Sequence, residues 1–217
     1  LIIIDFGSGN LRSVENAFKN CVYDNKLRIT IKVTNKLDLI SQADHLVLPG
    51  VGSFPDCKKG LEKIKGLIDL LTDQVINKKK KFLGICVGMQ LMVSYSTEKE
   101  KTLGFGWLSG NFKKIKTNGL DYLGRDYKIP HMGWNNLQIQ NKKHPILENI
   151  TESEQYYFVH SYALESKKTN QIIANTIYNQ KIPAIIGKDN YIGVQFHPEK
   201  SGNSVQKFIY NWLKWIP

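Results

Sequence analysis

Near the middle of the chain, Gly84-Ile85-Cys86-Val87-Gly88 follows directly on the short apolar run Phe82–Ile85. Glycines on both sides of a cysteine at a strand end favour one local geometry, a tight corner from strand into helix. Small neighbours let the backbone bend sharply, and the central side chain is lifted out of the sheet. Such a corner marks the end of a strand and the start of a helix. Two further strand candidates end the same way. Leu1–Asp5 runs into Gly7-Ser8-Gly9-Asn10, and His45–Leu48 runs into Pro49-Gly50-Val51-Gly52-Ser53-Phe54.

Between these runs the apolar period changes from two to about 3.6. Leu11, Val14, Ala17 and Phe18 recur at helical spacing, Ile29–Val33 reads as a second strand, and Leu61, Ile64, Leu67, Ile68 and Leu71 form a stripe that Gly66 interrupts. Met89 to about Tyr95 is expected to be the helix after the corner. This alternation predicts an α/β fold, an open and mostly parallel sheet with helices on both faces. From Phe105 to Ile139, glycines, aromatics and turn signals such as Asn118-Gly119 predict additional short antiparallel strands. Tyr156–His160, Ile172–Ile177, Ala184–Gly187 and Ile192–Phe196 are further strands. Ser201 is expected to cap a last helix with Val205, Phe208, Ile209 and Leu213 inward. With no repeat, linker or low-complexity tract, residues 1–217 read as a single domain. Sites in such sheets lie at the carboxyl ends of the strands, so the three glycine-rich turns are expected to share one.

Thirty Lys and Arg against 19 Asp and Glu give a net charge of +11. The lysines are spread along the chain, and the densest run, Lys78-Lys79-Lys80-Lys81, precedes an apolar strand as a solvated segment would. Without basic residues interleaved with aromatics, nucleic acid is set aside as a partner, and an acidic protein surface suits the charge better. No stretch has the length of a membrane span and no cleavable leader opens the chain, so a cytoplasmic location is expected. Cys21, Cys57 and Cys86 are odd in number and far apart, without metal-type spacing. Neither a metal nor a cofactor is expected.

Cys86 is the candidate nucleophile, and a thiol needs a base to act at neutral pH. About 110 residues on, Val194-Gln195-Phe196-His197-Pro198-Glu199 supplies one. His197 is the candidate base, and Glu199 is placed to fix its tautomer. His45, His131, His144 and His160 lack a carboxylate two positions away, and His131 and His160 read as orienting or structural. The Val87 N–H is a candidate oxyanion donor, with a second from the turn holding Val51 and Gly52. Gln90, one helical turn past Cys86, is a candidate for binding a substrate's polar end.

Together these blocks resemble the triad-type (class I) glutamine amidotransferases, and more narrowly the glutaminase subunits of imidazole glycerol phosphate synthase. The likeness rests on Asp5–Asn10, Pro49–Phe54, Gly84–Gln90, Pro130-His131-Met132-Gly133-Trp134-Asn135, Tyr157–Tyr162 and Gln195–Ser201, nearly the whole chain. It implies a flavodoxin-like fold and hydrolysis of glutamine by Cys86, His197 and Glu199, with Gly52, Gln90, Ser161 and Tyr162 binding glutamine. It further implies a heterodimer with a (β/α)8-barrel cyclase of histidine biosynthesis, met through Asn10, Trp134 and Lys200, and no cofactor. Phe6 stands where tyrosine is usual, and the lysine-rich segment Ser94–Lys101 is placed at the periphery. The site residues leave open a paralogue that supplies ammonia to a sugar-amidinating partner, a non-catalytic binding module, and a hydrolase of glutamyl peptides.

Overall fold

The computed structural model describes residues 1–120, 124–200 and 202–217, the side chains of 203 and 204 apart. Its strands in chain order are β1 (Ile2–Ile4), β2 (Lys32–Thr34), β3 (His45–Gly50), β4 (Lys81–Cys86), β5 (Val93–Ser96), β6 (Thr102–Leu103) and β7 (Leu108–Lys114). They continue with β8 (His131–Asn136), β9 (Gln138–Ile139), β10 (Gln155–His160), β11 (Tyr162–Glu165), β12 (Ile172–Tyr178), β13 (Gln180–Lys188) and β14 (Tyr191–Val194). The helices are α1 (Leu11–Asp24), α2 (Leu37–Ser41), α3 (Phe54–Glu62), α4 (Leu67–Thr72), α5 (Val87–Gln90) and α6 (Gly202–Lys214).

Eight strands form the main sheet in the order β2-β1-β3-β4-β14-β13-β12-β9. The first five run parallel, and β13, β12 and β9 continue antiparallel. Ile2–Ile4, Leu46–Gly50 and Phe82–Cys86 are buried at every position. Continuous burial, rather than alternation, means that both faces of the parallel half are covered, as the βα alternation predicts. Two small sheets lie apart from it, the antiparallel pair β10-β8 and the four-stranded β11-β7-β5-β6.

The apolar stripe from Leu61 to Leu71 is divided between α3 and α4 by Gly66, which sits at φ +83. The helix expected over Met89–Tyr95 is not formed. α5 stops at Gln90, and Val93–Ser96 is strand β5, paired with β7. Val93, Ser94, Tyr95 and Ser96 alternate β-branched or aromatic residues with small polar ones, a β-type run that outweighs one helical turn. The second strand is shifted to Lys32–Thr34, and the cap expected from Ser201 lies outside the described residues.

Candidate active site

Cys86 is the last residue of β4 and sits at φ +54, ψ −110, outside the regions ordinary residues favour. A strained residue of this kind persists only where its surroundings over-determine it. They do so by close packing: a Cβ on Gly88 would lie 1.9 Å from the carbonyl oxygen of Leu48 on β3. Only glycine lets the first turn of α5 settle on the neighbouring strand. α5 has only four residues, so its N–H groups, rather than a long helix dipole, face the corner.

The second block arrives from β14, which pairs in parallel with β4, so that Val194 lies beside Ile85. The chain then carries Gln195, Phe196 and His197 past the same strand end. Phe196 anchors this step among Tyr156, Phe158 and Phe208. The His197 Nδ1 lies 2.9 Å from Glu199 Oε1, with both side chains nearly wholly buried. Burial alone would pull the imidazole pKa down. Hydrogen bonding to Cys86 and Glu199, with their charges, overrides it and raises the value to about 10.

Cys86 and His197 open on one pocket of about 330 Å³, lined also by Val51, Gly52, Val87, Gln90, Ser161, Tyr162 and Lys200. The structure therefore brings together every residue that the sequence suggests for nucleophile, base, oxyanion donors and substrate contacts, with Glu199 behind the base. Gln90 is not an outward helix residue: it is buried, and its Nε2 donates to Gln195 Oε1 at 3.1 Å. Gln195 in turn points Nε2 at the Cys86 sulfur, 3.6 Å away. Gln195 carries no motif of its own, although an amide inside the apolar run Ile192–Phe196 is itself a signal. A buried amide there needs polar partners.

Ser94–Lys101 is not peripheral, since Glu98 lines the pocket and its Oε2 accepts the Phe54 N–H at 2.7 Å. The charge run concealed one inward carboxylate among lysines. The turn after β3 completes the rim. Val51 is exposed, and its carbonyl accepts from the Ser8 hydroxyl at 2.6 Å and from the Cys57 thiol at 3.3 Å.

The three residues suggested for a partner contact fall into two groups. Trp134 is 51% exposed, with its ring 5.7 Å from that of Tyr157. The Lys200 ammonium sits over the same Tyr157 ring at 5.0 Å. Asn10 is exposed at the N-cap of α1 and makes no capping bond with its side chain. Among the described residues no cluster of three or more His, Cys, Asp or Glu could hold a metal, and no helix is long and apolar enough to cross a membrane.

A thiol at a strand-to-helix corner, facing a buried imidazole–carboxylate pair, defines a site for acyl transfer from an amide or ester. The family model for glutamine amidotransferase class-I matches residues 2–214. The imidazole glycerol phosphate synthase subunit HisH of Brucella melitensis is 41% identical over 218 residues, covering 99% of this chain and 98% of that protein. The HisH subunit of Agrobacterium fabrum is 42% identical with the same coverage. The chain therefore belongs to the class-I glutamine amidotransferase family and, within it, to the HisH group. Solved structures show the same fold at low identity. A glutamine amidotransferase superposes with a TM-score of 0.71 at 15% identity, covering 98% of this chain and 97% of that one. The PurLQS structure from Thermotoga maritima gives 0.67 at 16%, with coverage of 98% and 96%.

Proposed function

We propose that this protein hydrolyses glutamine to glutamate and ammonia and delivers the ammonia to a (β/α)8-barrel cyclase subunit, which forms imidazole glycerol phosphate in histidine biosynthesis. The observation that carries the chemistry is the buried His197–Glu199 pair at 2.9 Å, opening on the same pocket as Cys86. The HisH relatives, matched over nearly their whole length, support the choice of partner.

Cys86 sulfur attacks the side-chain amide carbon of glutamine, and its proton resides on His197. The tetrahedral oxyanion is met by the Val87 N–H and by an N–H of the Val51–Gly52 turn. His197 gives its proton to the departing nitrogen, ammonia leaves, and a γ-glutamyl thioester remains on Cys86. His197 then takes a proton from water, whose oxygen attacks the thioester. Glutamate departs as the thiol is restored. Glu199 holds the His197 tautomer and offsets its positive charge through the cycle. The N–H that Gln195 aims at sulfur stabilises negative charge there.

Glutamine is held along the pocket by Gly52, Gln90, Ser161 and Tyr162, and Glu98 adds a carboxylate that suits the substrate's ammonium group. Trp134, Tyr157 and Lys200 offer the partner an aromatic and cationic edge at the pocket mouth, with Asn10 as a further contact. Glutamine hydrolysis without an acceptor would waste ammonia, so partner-free turnover is expected to be low. Glutamate release from glutamine, measured alone and with the histidine-pathway cyclase and its nucleotide ligand, tests the reading. Strong stimulation that Cys86→Ala abolishes, a loss of about a thousandfold or more, supports it. Fast turnover indifferent to the cyclase sinks the partnership. Turnover surviving Cys86→Ala sinks the mechanism.

A further inference from the structure

The pocket wall formed by His160, Ser161 and Tyr162 rests on polar groups to which the proposed reaction assigns nothing. His131 on β8 and His160 on β10 are register partners, both buried, with His131 Nδ1 3.0 Å from His160 Nε2. His160 Nδ1 lies 2.9 Å from the Tyr162 carbonyl, and Asn135 Nδ2 lies 3.4 Å from His131 Nε2.

The proton positions follow from these neighbours. A carbonyl only accepts, so His160 Nδ1 carries its hydrogen and Nε2 of the neutral ring accepts. His131 Nδ1 must then donate, and its Nε2 accepts from Asn135. The Asn135 amide is itself fixed, because Oδ1 accepts the Asn136 N–H and Nδ2 donates to the Ile177 carbonyl, each at 2.8 Å. The chain of bonds runs one way, from Asn135 through both histidines to the Tyr162 carbonyl. A proton added to either ring would set two N–H groups against each other. Stacking of His131 on Tyr178 at 4.1 Å and on Phe158 at 5.0 Å prevents the ring from turning away.

The carbonyl at the end of this chain occupies a telling place. Tyr162 pairs with Lys114 of β7, and the Ile115 N–H donates to the Ser161 carbonyl at 2.9 Å. In that register the N–H and C=O of Tyr162 both face away from β7, outside the ladder. His160 covers the carbonyl and leaves the N–H. With the Ser161 and Tyr162 carbonyls both engaged, the backbone of these two residues turns neither carbonyl to the pocket. A backbone that offers an N–H without a carbonyl beside it favours a carboxylate over a neutral amide at the same place.

We propose that His131 and His160 are positioning residues that mask the Tyr162 carbonyl, so that the pocket wall selects the α-carboxylate end of its substrate. The inference rests on the glutaminase reading, and two measurements keep their failures apart. In the first, full-length protein is alkylated at Cys86 by a glutamine-shaped diazoketone, by the α-carboxamide of that probe, and by iodoacetamide. Wild type is expected to prefer the carboxylate probe. His131→Phe and His160→Phe should each raise its inhibition constant roughly tenfold, about one hydrogen bond's worth. For His131→Phe, which lies behind the wall, the carboxamide and iodoacetamide rates should be unchanged, and the double variant should be little worse than either single one. His131→Gln, which restores a donor to His160, should recover most of the preference. Unchanged preference in both variants, or equal loss with all three probes, overturns the proposal. The second measurement is nitrogen NMR of the histidine rings at neutral pH, which does not depend on glutamine. Both rings should carry hydrogen on Nδ1, and an Nε2–H form of either overturns the proposal even if no probe reacts.

Discussion

Two neighbouring turns line the pocket and are built in opposite ways. The corner after β4 is buried from Cys86 through Gln90, and its backbone lies against Leu48 so closely that a Cβ on Gly88 has no room. The turn after β3 is open. Val51 and Gly52 are exposed, Gly52 sits at φ +103, and a Cβ on it would meet nothing within 4 Å. One glycine is required by packing and the other by conformation alone. On the proposed reaction the nucleophile is thus fixed in advance, while the turn proposed for the oxyanion has space in which to reorient.

The sharpest break in this contrast is Gly88→Ala. The added methyl meets backbone rather than a yielding side chain, so β3 and α5 must separate. A loss of roughly 3 kcal/mol or more is expected, seen as a fall in Tm or in soluble yield. A variant as stable as wild type would show that the corner is not closely packed.

Acidity and alkalinity test the built side next. Burial and the neighbouring His160 hold His131 at about 3, and burial with the charge of His197 holds His160 at about 4, against an ordinary value near 6.5. The unfolded chain binds their protons first, so their stabilisation is complete above pH 6.5 and is lost as pH falls towards 4. Each contributes about 1 kcal/mol per pH unit over that window. His197 acts in the other direction. Its folded value of about 10 exceeds the unfolded one, so its stabilisation is full below pH 6.5 and is lost as pH rises to about 10. Denaturant midpoints should therefore peak near neutrality. Cys86→Ala should flatten the alkaline limb only, and His131→Phe the acid limb only. A profile without an acid limb would mean that the histidine pair is solvated.

Gly52→Ala probes the open side. No atom obstructs the methyl, but φ +103 strains any L side chain by about 2 kcal/mol. Relaxing the turn is easier than breaking the fold. Tm should fall by only a few degrees, while kcat for glutamine falls by about tenfold or more. Equal losses in both would make the turn as rigid as its neighbour.

The same contrast explains what could be read from the sequence. Glycines around Cys86, the His-Pro-Glu run and the strand-ending turns are local signals, so the parallel half of the sheet and the meeting of Cys86 with His197 were legible. β5 was not, because the chain enters Met89–Tyr95 from the helical turn of α5, and the short run that follows becomes strand by pairing with β6 and β7, both later in the chain. Glu98 and Gln195 were missed for a related reason. Their chemistry depends on neighbours distant in sequence, Phe54 for one and Cys86 and Gln90 for the other. The His131–His160 bond likewise exists only once β8 and β10 are in register.

The smallest expected effect discriminates best between a fixed and a reorientable turn. The Val51 carbonyl has two donors, the Ser8 hydroxyl and the Cys57 thiol, and the hydroxyl is the nearer and stronger. In a trans peptide the Gly52 N–H points opposite to that carbonyl, so the clamp also sets where this N–H faces. Ser8→Ala leaves only the weak thiol donor. Stability should fall by about 1 kcal/mol or less, with KM for glutamine unchanged because Ser8 does not line the pocket. If the clamp holds the turn at rest, partner-free glutamate release should rise severalfold, by about as much as one hydrogen bond biases a two-state equilibrium. The rate with the docked cyclase should not change, so the stimulation ratio shrinks. A fall in both rates would instead mean that the clamp holds the turn in its working orientation. The two halves of the oxyanion site would then be equally preformed.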